Sequence, residues 1–242
     1  MPTNELNSLV LRRYELAQSF AGRLLLNLHV EFQRMRASWI AGGAGAVKRG
    51  FDIAASFLAL VVLSPLFAFI AIVVKIEDGG PVFFSQTRVG QFGRQFKMFK
   101  FRSMCLDAEQ RLKDLIAKNH HKEGVTFKIK DDPRITRVGK WLRKFSLDEL
   151  PQLFNVFIGN MSLVGPRPPL PREVTHYSLA HRRRLAVRPG ITCIWQISGR
   201  ANIDFSGQVQ LDVDYIETQG FWVDVKILAK TIPAVLSGKG AC

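Results

Sequence analysis

Residues 48–75 read KRGFDIAASFLALVVLSPLFAFIAIVVK, and from Phe51 to Val74 the one ionisable side chain is Asp52. A run of that length meets the roughly 20 apolar residues that a membrane helix needs. The core helix of a soluble protein seldom stays apolar on every face for so long. Ser64 and Pro65 sit near the middle of the run. Proline lacks the N–H that would continue the helix and its ring clashes with the preceding turn, so the spacing predicts a bend here.

Both flanks of the run are basic, with Lys48 and Arg49 before it and Lys75, Arg88, Arg94, Lys97 and Lys100 after it. A kinked span would put these flanks on opposite sides of a bilayer, whereas positive charge is retained in the cytoplasm. A re-entrant helix-break-helix hairpin over residues 48–80 satisfies both flanks and is favoured over a span. Its open backbone at the break needs a hydrogen-bond partner, for which the Ser64 hydroxyl is a candidate.

The 242 residues suffice for one ordinary domain with appendages. A net charge of +14 calls for an anionic partner, which charge alone leaves open between nucleic acid, an anionic membrane surface and a phosphorylated substrate. Because that charge coexists with 47% hydrophobic residues and 18 Phe, lipid is favoured and nucleic acid is not expected. Cys105, Cys193 and Cys242 form no CxxC pair and read as reduced, cytosolic and incidental. The N-terminus lacks the pattern of a secretory signal, and Cys242, as the last residue, makes no prenylation box.

Residues 1–47 read as a basic amphipathic extension, either a solvated arm or a helix lying on anionic lipid. After the turn-rich Asp78-Gly79-Gly80-Pro81 the pattern changes. Pro81 to Arg88 and Gln95 to Phe101 are rich in Phe and Val and predict a short β-hairpin. Helices are expected over residues 108–119, 137–144 and 150–157, the last closed by Gly159, with a loop over 120–130. Residues 221–236 have the composition of an interfacial helix, though packing on the catalytic core is an equal reading. The expected fold is therefore α+β and mostly helical, a monotopic membrane protein with a small β-hairpin, interfacial helices and a catalytic domain over residues 81–242.

The densest group of reactive side chains lies between Asp132 and Pro168. Asp148 and Glu149 adjoin Pro151, a residue favoured at the first helical position, so both carboxylates are expected at or just before a helix N-terminus. That end binds anions. Yet Ser146-Leu147-Asp148-Glu149 also spells a capping box, in which Glu149 only satisfies a backbone amide. Adjacent carboxylates diverge on a helix, which disfavours glycoside hydrolysis by a facing pair and gives them separate jobs. One suits attack as a nucleophile and the other proton handling, with a divalent cation screening phosphate charge. In Gly165-Pro166-Arg167-Pro168-Pro169 a stiff segment holds one guanidinium, either for bidentate phosphate contact or as a solvated surface turn.

The order of these pieces resembles the bacterial sugar transferases, or monotopic phosphoglycosyl transferases. It runs Lys48-Arg49-Gly50-Phe51-Asp52, Ser64-Pro65, Gly80-Pro81 to Gln86, Lys100 to Met104, Asp132-Pro133-Arg134-Ile135-Thr136, Ser146 to Gln152, Ser162 to Pro168 and Pro189-Gly190-Ile191-Thr192. The chain is similar to the short form and to initiators of exopolysaccharide synthesis. The resemblance implies a re-entrant hairpin on the cytoplasmic face of the bacterial plasma membrane. It implies ping-pong transfer of a hexose 1-phosphate, galactose or glucose, from a UDP-sugar to undecaprenyl phosphate with release of UMP. Asp148 is then the nucleophile and a ligand of Mg2+, and Glu149 handles the proton. Arg167 contacts phosphate, Lys100, Arg102 and Arg143 are weaker candidates for the same pocket, and Ser64 and Pro65 break the helix. Anionic lipids are expected partners, and a homodimer is left open. Two positions depart from the family pattern, Asn160 where aspartate is usual and Cys193 where glycine is usual, and any metal role at Asn160 is in doubt. The competing reading from another class is a non-catalytic basic membrane adaptor.

Overall fold

Two helices, α1 (Ala44–Val62) and α2 (Ser64–Asp78), meet at 60° where Ser64 and Pro65 interrupt the apolar run. The computed structural model describes residues 43–111, 132–198 and 203–237; residues 1–42 of the expected N-terminal extension, 112–119 of an expected helix and the loop 120–130 lie outside the described residues. Leu63 still donates to the Ala59 carbonyl at 2.9 Å. Pro65 has no N–H for the carbonyl of Val61, and the Ser64 hydroxyl donates to that oxygen instead, at 2.8 Å. Among the described residues no single helix is long and apolar enough to cross a membrane, but this bent pair meets that length and composition together. Phe57, Leu58, Val62, Phe69, Ile72 and Ile76 are all exposed along it.

One face of α2 is buried. Its Ile70 and Val74 pack with Phe101 and Leu142, joining the hairpin to β2 (Gln95–Phe101) and α3 (Arg137–Lys144). β1 (Phe83–Val89) pairs antiparallel with β2, Phe83 opposite Phe101 and Val89 opposite Gln95, so the expected β-hairpin is present. The expected helix over residues 137–144 is α3, and that over 150–157 is α4 (Gln152–Ile158), stopped by Gly159 at φ 96°.

A second, parallel pair was not expected from the sequence. β3 (Ser162–Val164) lies beside β4 (Gly190–Thr192), and three-residue strands are too short to display an alternating pattern. Short helices α5 (Pro171–Val174), α6 (Leu179–Arg182) and α7 (Ile194–Ser198) lead to α8 (Phe205–Thr218) and α9 (Phe221–Ser237). Val164, Tyr215 and Ile227 form a second core, so α9 does pack on the body of the protein. Its other face leaves Trp222, Ile232 and Leu236 exposed. Asp52, the one carboxylate of the apolar run, is buried and accepts from the Leu163 N–H at 3.0 Å, pinning α1 to β3. The described residues from Gly50 onward form one compact unit.

Candidate active site

Asp148 and Glu149 lie on a single 3-10 turn, Leu147–Glu149, immediately before Pro151 and α4. Ser146, which opens this turn, is left-handed at φ 53° and its side chain makes no cap hydrogen bond. The capping box that the sequence allowed is therefore not formed. Glu149 is instead held by Lys100, whose ammonium reaches from β2 to within 2.6 Å of Glu149 Oε1 and 3.7 Å of Asp148 Oδ2.

The two neighbours respond oppositely to their surroundings. Burial pushes the Asp148 carboxyl above its ordinary value and Glu149's charge adds to that, while Lys100 and Arg143 oppose it. Burial acts upward on Glu149 too, but the charge and hydrogen bond of Lys100, with Arg167 and Arg88 beyond it, hold that carboxyl below the usual range. Divergent titration of adjacent carboxylates is what separate acid and base duties require.

Beside the pair is a cavity of about 140 Å³, whose wall includes Arg88, Lys100, Glu149, Gln152, Arg167 and Trp195. Glu149 lines it; Asp148, only 6% exposed, is not on the wall but adjoins it through Lys100. Arg167 is carried to the cavity by a tightly tied arm. Gly165 N–H donates to the Thr192 carbonyl at 3.0 Å, Gly190 N–H to the Pro166 carbonyl at 2.9 Å and Val89 N–H to the Pro169 carbonyl at 2.9 Å. The crossing demands glycine, since a Cβ on Gly190 would come within 2.1 Å of the Gly165 nitrogen. Among the described residues Arg167 has no hydrogen-bond or ion-pair partner, so its fork is available.

The other candidates are elsewhere. Arg102, the residue after β2, is paired with Asp78, tying the end of α2 to the end of β2, and it does not line the cavity. Arg143 donates to the Ser103 hydroxyl at 3.0 Å and acts on Asp148 by charge, also off the cavity wall. Arg88, Gln152 and Trp195 are not among the expected site residues: in the sequence Arg88 is one more positive charge after the apolar run, Gln152 only closes the Ser146-to-Gln152 motif, and nothing local marks Trp195.

Residues 43–238 match the family described as bacterial sugar transferase. The chain is 50% identical over 195 residues to a galactosyl transferase, CpsE, of Streptococcus agalactiae, covering 80% of this chain and 43% of that protein. It is 42% identical over 200 residues to the exopolysaccharide production protein ExoY of Rhizobium meliloti, covering 81% and 88%. With the undecaprenyl-phosphate galactose phosphotransferase of Salmonella typhimurium it shares 39% over 241 residues, covering 95% of this chain and 50% of that protein. The chain belongs to the bacterial sugar transferase family. It thus spans half or less of the Streptococcus and Salmonella relatives and most of ExoY.

Neither Asn160 nor Cys193, the two departures from the family pattern, bonds to the acidic pair or lines the cavity. Asn160 Oδ1 accepts from Asn155 Nδ2 at 3.4 Å at the end of α4, where Asn155 also bonds the Lys97 carbonyl and the Phe99 N–H of β2. Cys193 is buried, which pushes its thiol well up, and it donates to Gln196 Oε1 at 3.3 Å. Among the described residues no three carboxylate, histidine or cysteine groups converge as a metal cage. Asp148 and Glu149 do fit the manner in which Mg2+ is bound by one or two carboxylates together with substrate phosphates and water.

Proposed function

We propose that this sugar transferase moves a hexose 1-phosphate, from UDP-galactose or UDP-glucose, to undecaprenyl phosphate and releases UMP, as the first membrane step of exopolysaccharide synthesis. The observation that carries it is the meeting of Asp148, Glu149 and Lys100 beside a cavity that Lys100, Glu149, Arg88 and Arg167 line. The Salmonella relative's name supplies undecaprenyl phosphate and galactose, and the Rhizobium relative's name supplies exopolysaccharide production.

Asp148 attacks the phosphorus that bears the sugar. The bond from that phosphorus to the bridging oxygen breaks, and its electron pair leaves on UMP. An oxygen of undecaprenyl phosphate then attacks the same phosphorus, the bond to Asp148 breaks and the carboxylate is regenerated. Lys100 favours the ionised form of both carboxylates, Glu149 takes the proton of the incoming phosphate, and Arg167 grips phosphate oxygens. Asp148, together with the substrate phosphates, would hold Mg2+, which would supply charge neutralisation there.

A second assignment of the nucleophile has its own support, because Glu149 is the carboxylate that lines the cavity and is held ionised. Both assignments predict a covalent phosphosugar, on different residues. The hairpin of α1 and α2, apolar and exposed at Phe57, Leu58, Phe69 and Ile72, enters and leaves the cytoplasmic leaflet, anchoring the site where a water-soluble donor meets a lipid acceptor. Anionic headgroups are attracted by the net charge of +14.

The test is UMP release on mixing membranes, undecaprenyl phosphate and a panel of UDP-sugars, with Asp148→Asn and Glu149→Gln compared. Loss of UMP release and of the labelled adduct in Asp148→Asn is expected. Wild-type turnover by Asp148→Asn removes it as nucleophile, and no release with any UDP-sugar returns the chain to the adaptor reading.

A further inference from the structure

Arg88 is an arginine at the end of β1, only 6% exposed, on the wall of the same cavity as Arg167. Its two terminal nitrogens are committed, Nη1 to the Pro168 carbonyl at 3.0 Å and Nη2 to Gln86 Oε1 at 2.7 Å. Its Nε is buried with no hydrogen-bond partner. Burying a guanidinium is costly unless an anion compensates it, and no carboxylate makes an ion pair with this one among the described residues.

Its strongest charged neighbour is another cation. Burial first, and then the charge of Arg167, lower Arg88 to about 10, with Arg172 acting the same way and Glu173 and Glu149 only partly offsetting them. Two guanidiniums in one low-dielectric wall repel each other until an anion lies between them, and the relief of that repulsion favours anion binding.

We propose that Arg88 and Arg167 together form a cradle for the phosphate of the leaving nucleotide, distinct from the point of attack on the sugar-bearing phosphorus. The assignment rests on the proposed function and says which end of the donor each group takes. Lys100 Nζ lies 3.7 Å from Asp148 Oδ2 and 2.6 Å from Glu149 Oε1, and it lines the same cavity as Arg88 and Arg167, whereas Asp148 does not line it. Lys100 therefore stands between the nucleophile and the guanidinium pair. When the bond to the bridging oxygen breaks, the electron pair stays on that oxygen, and the UMP phosphate gains a negative charge facing Arg88 and Arg167. A donor aimed at charge that develops as the bond breaks stabilises the transition state more than the ground state.

The experiment titrates UMP and uridine onto the full chain in detergent by calorimetry, for wild type, Arg88→Gln and Arg88→Lys. Wild type should bind UMP about tenfold or more tightly than uridine, the increment expected of charge-assisted phosphate contacts. Arg88→Gln should lose most of that increment and keep its uridine affinity. An unchanged UMP-to-uridine ratio in Arg88→Gln overturns the proposal, and equal loss of both ligands reduces Arg88 to a support of the Pro168 arm. Should Arg88→Gln not fold, Arg88→Lys decides: a severalfold loss of the increment supports the cradle, and wild-type affinity for UMP overturns it. Wild type that binds neither ligand instead removes the functional proposal on which this one stands.

Discussion

Lys100 Nζ lies 3.7 Å from Asp148 Oδ2, and its charge is the largest influence opposing the burial that pushes the Asp148 carboxyl up. The proposed nucleophile is thus ionised with the help of a lysine from a strand 48 residues earlier, not by its own turn.

A pH profile follows. Attack needs the carboxylate, so single-turnover UMP release should fall as pH drops through an Asp148 value above the ordinary aspartate range. Removing the ammonium with Lys100→Met lets burial act unopposed and should move this acid limb to higher pH. An acid limb at the ordinary aspartate position, unmoved by Lys100→Met, counts against Asp148 as the attacking group.

Stability should respond with a definite sign. A carboxyl whose folded value is raised favours folding in its protonated form, so its contribution is present below the unfolded value and is lost as pH rises through the folded one. Asp148→Asn should therefore unfold no earlier than wild type at pH 7, and any gain should vanish near pH 4. Thermal unfolding in detergent at both pH values measures it. A variant clearly less stable at pH 7 contradicts the sign.

At the helix break, Ser64 supplies the donor that Pro65 withholds from the Val61 carbonyl. If that carbonyl lies in hydrocarbon, Ser64→Ala should cost about 1–3 kcal/mol, the price of an unmet buried acceptor, and Ser64→Thr should restore it. Unfolding in lipid nanodiscs reads the difference. Equal midpoints for the alanine and threonine variants mean that water reaches the break.

The arm that carries Arg167 depends on the close crossing at Gly165 and Gly190. Gly190→Ala forces the two backbones apart and should cost about 1–3 kcal/mol by overpacking. Because Arg167 moves with the arm, kcat/KM for the UDP-sugar should fall by more than the loss of folded protein explains. Activity per folded molecule equal to wild type would falsify the coupling of this crossing to the site.

The apolar run, the bend at Ser64-Pro65, the β-hairpin, α3 and α4 were legible because each is a local pattern. Period, proline and turn glycines act over a few neighbouring residues. So was the placement of Asp148 and Glu149 before a helix and of Arg167 on a stiff proline-flanked segment, since these patterns are written side by side. The β3–β4 pair, the Asp52–Leu163 bond and the roles of Arg88 and Trp195 were not, because each depends on segments that meet only after folding.

By itself the sequence determined that an apolar hairpin must break at a proline, and that two neighbouring carboxylates stand before a helix. Only the tertiary structure decided which positive charge each carboxylate meets, sending Lys100 to the pair, Arg167 and Arg88 to the cavity and Arg102 to Asp78. The physical reason is range. Backbone preferences act within a few residues, whereas burial and the electrostatic balance of a buried carboxylate depend on every chain segment that closes around it.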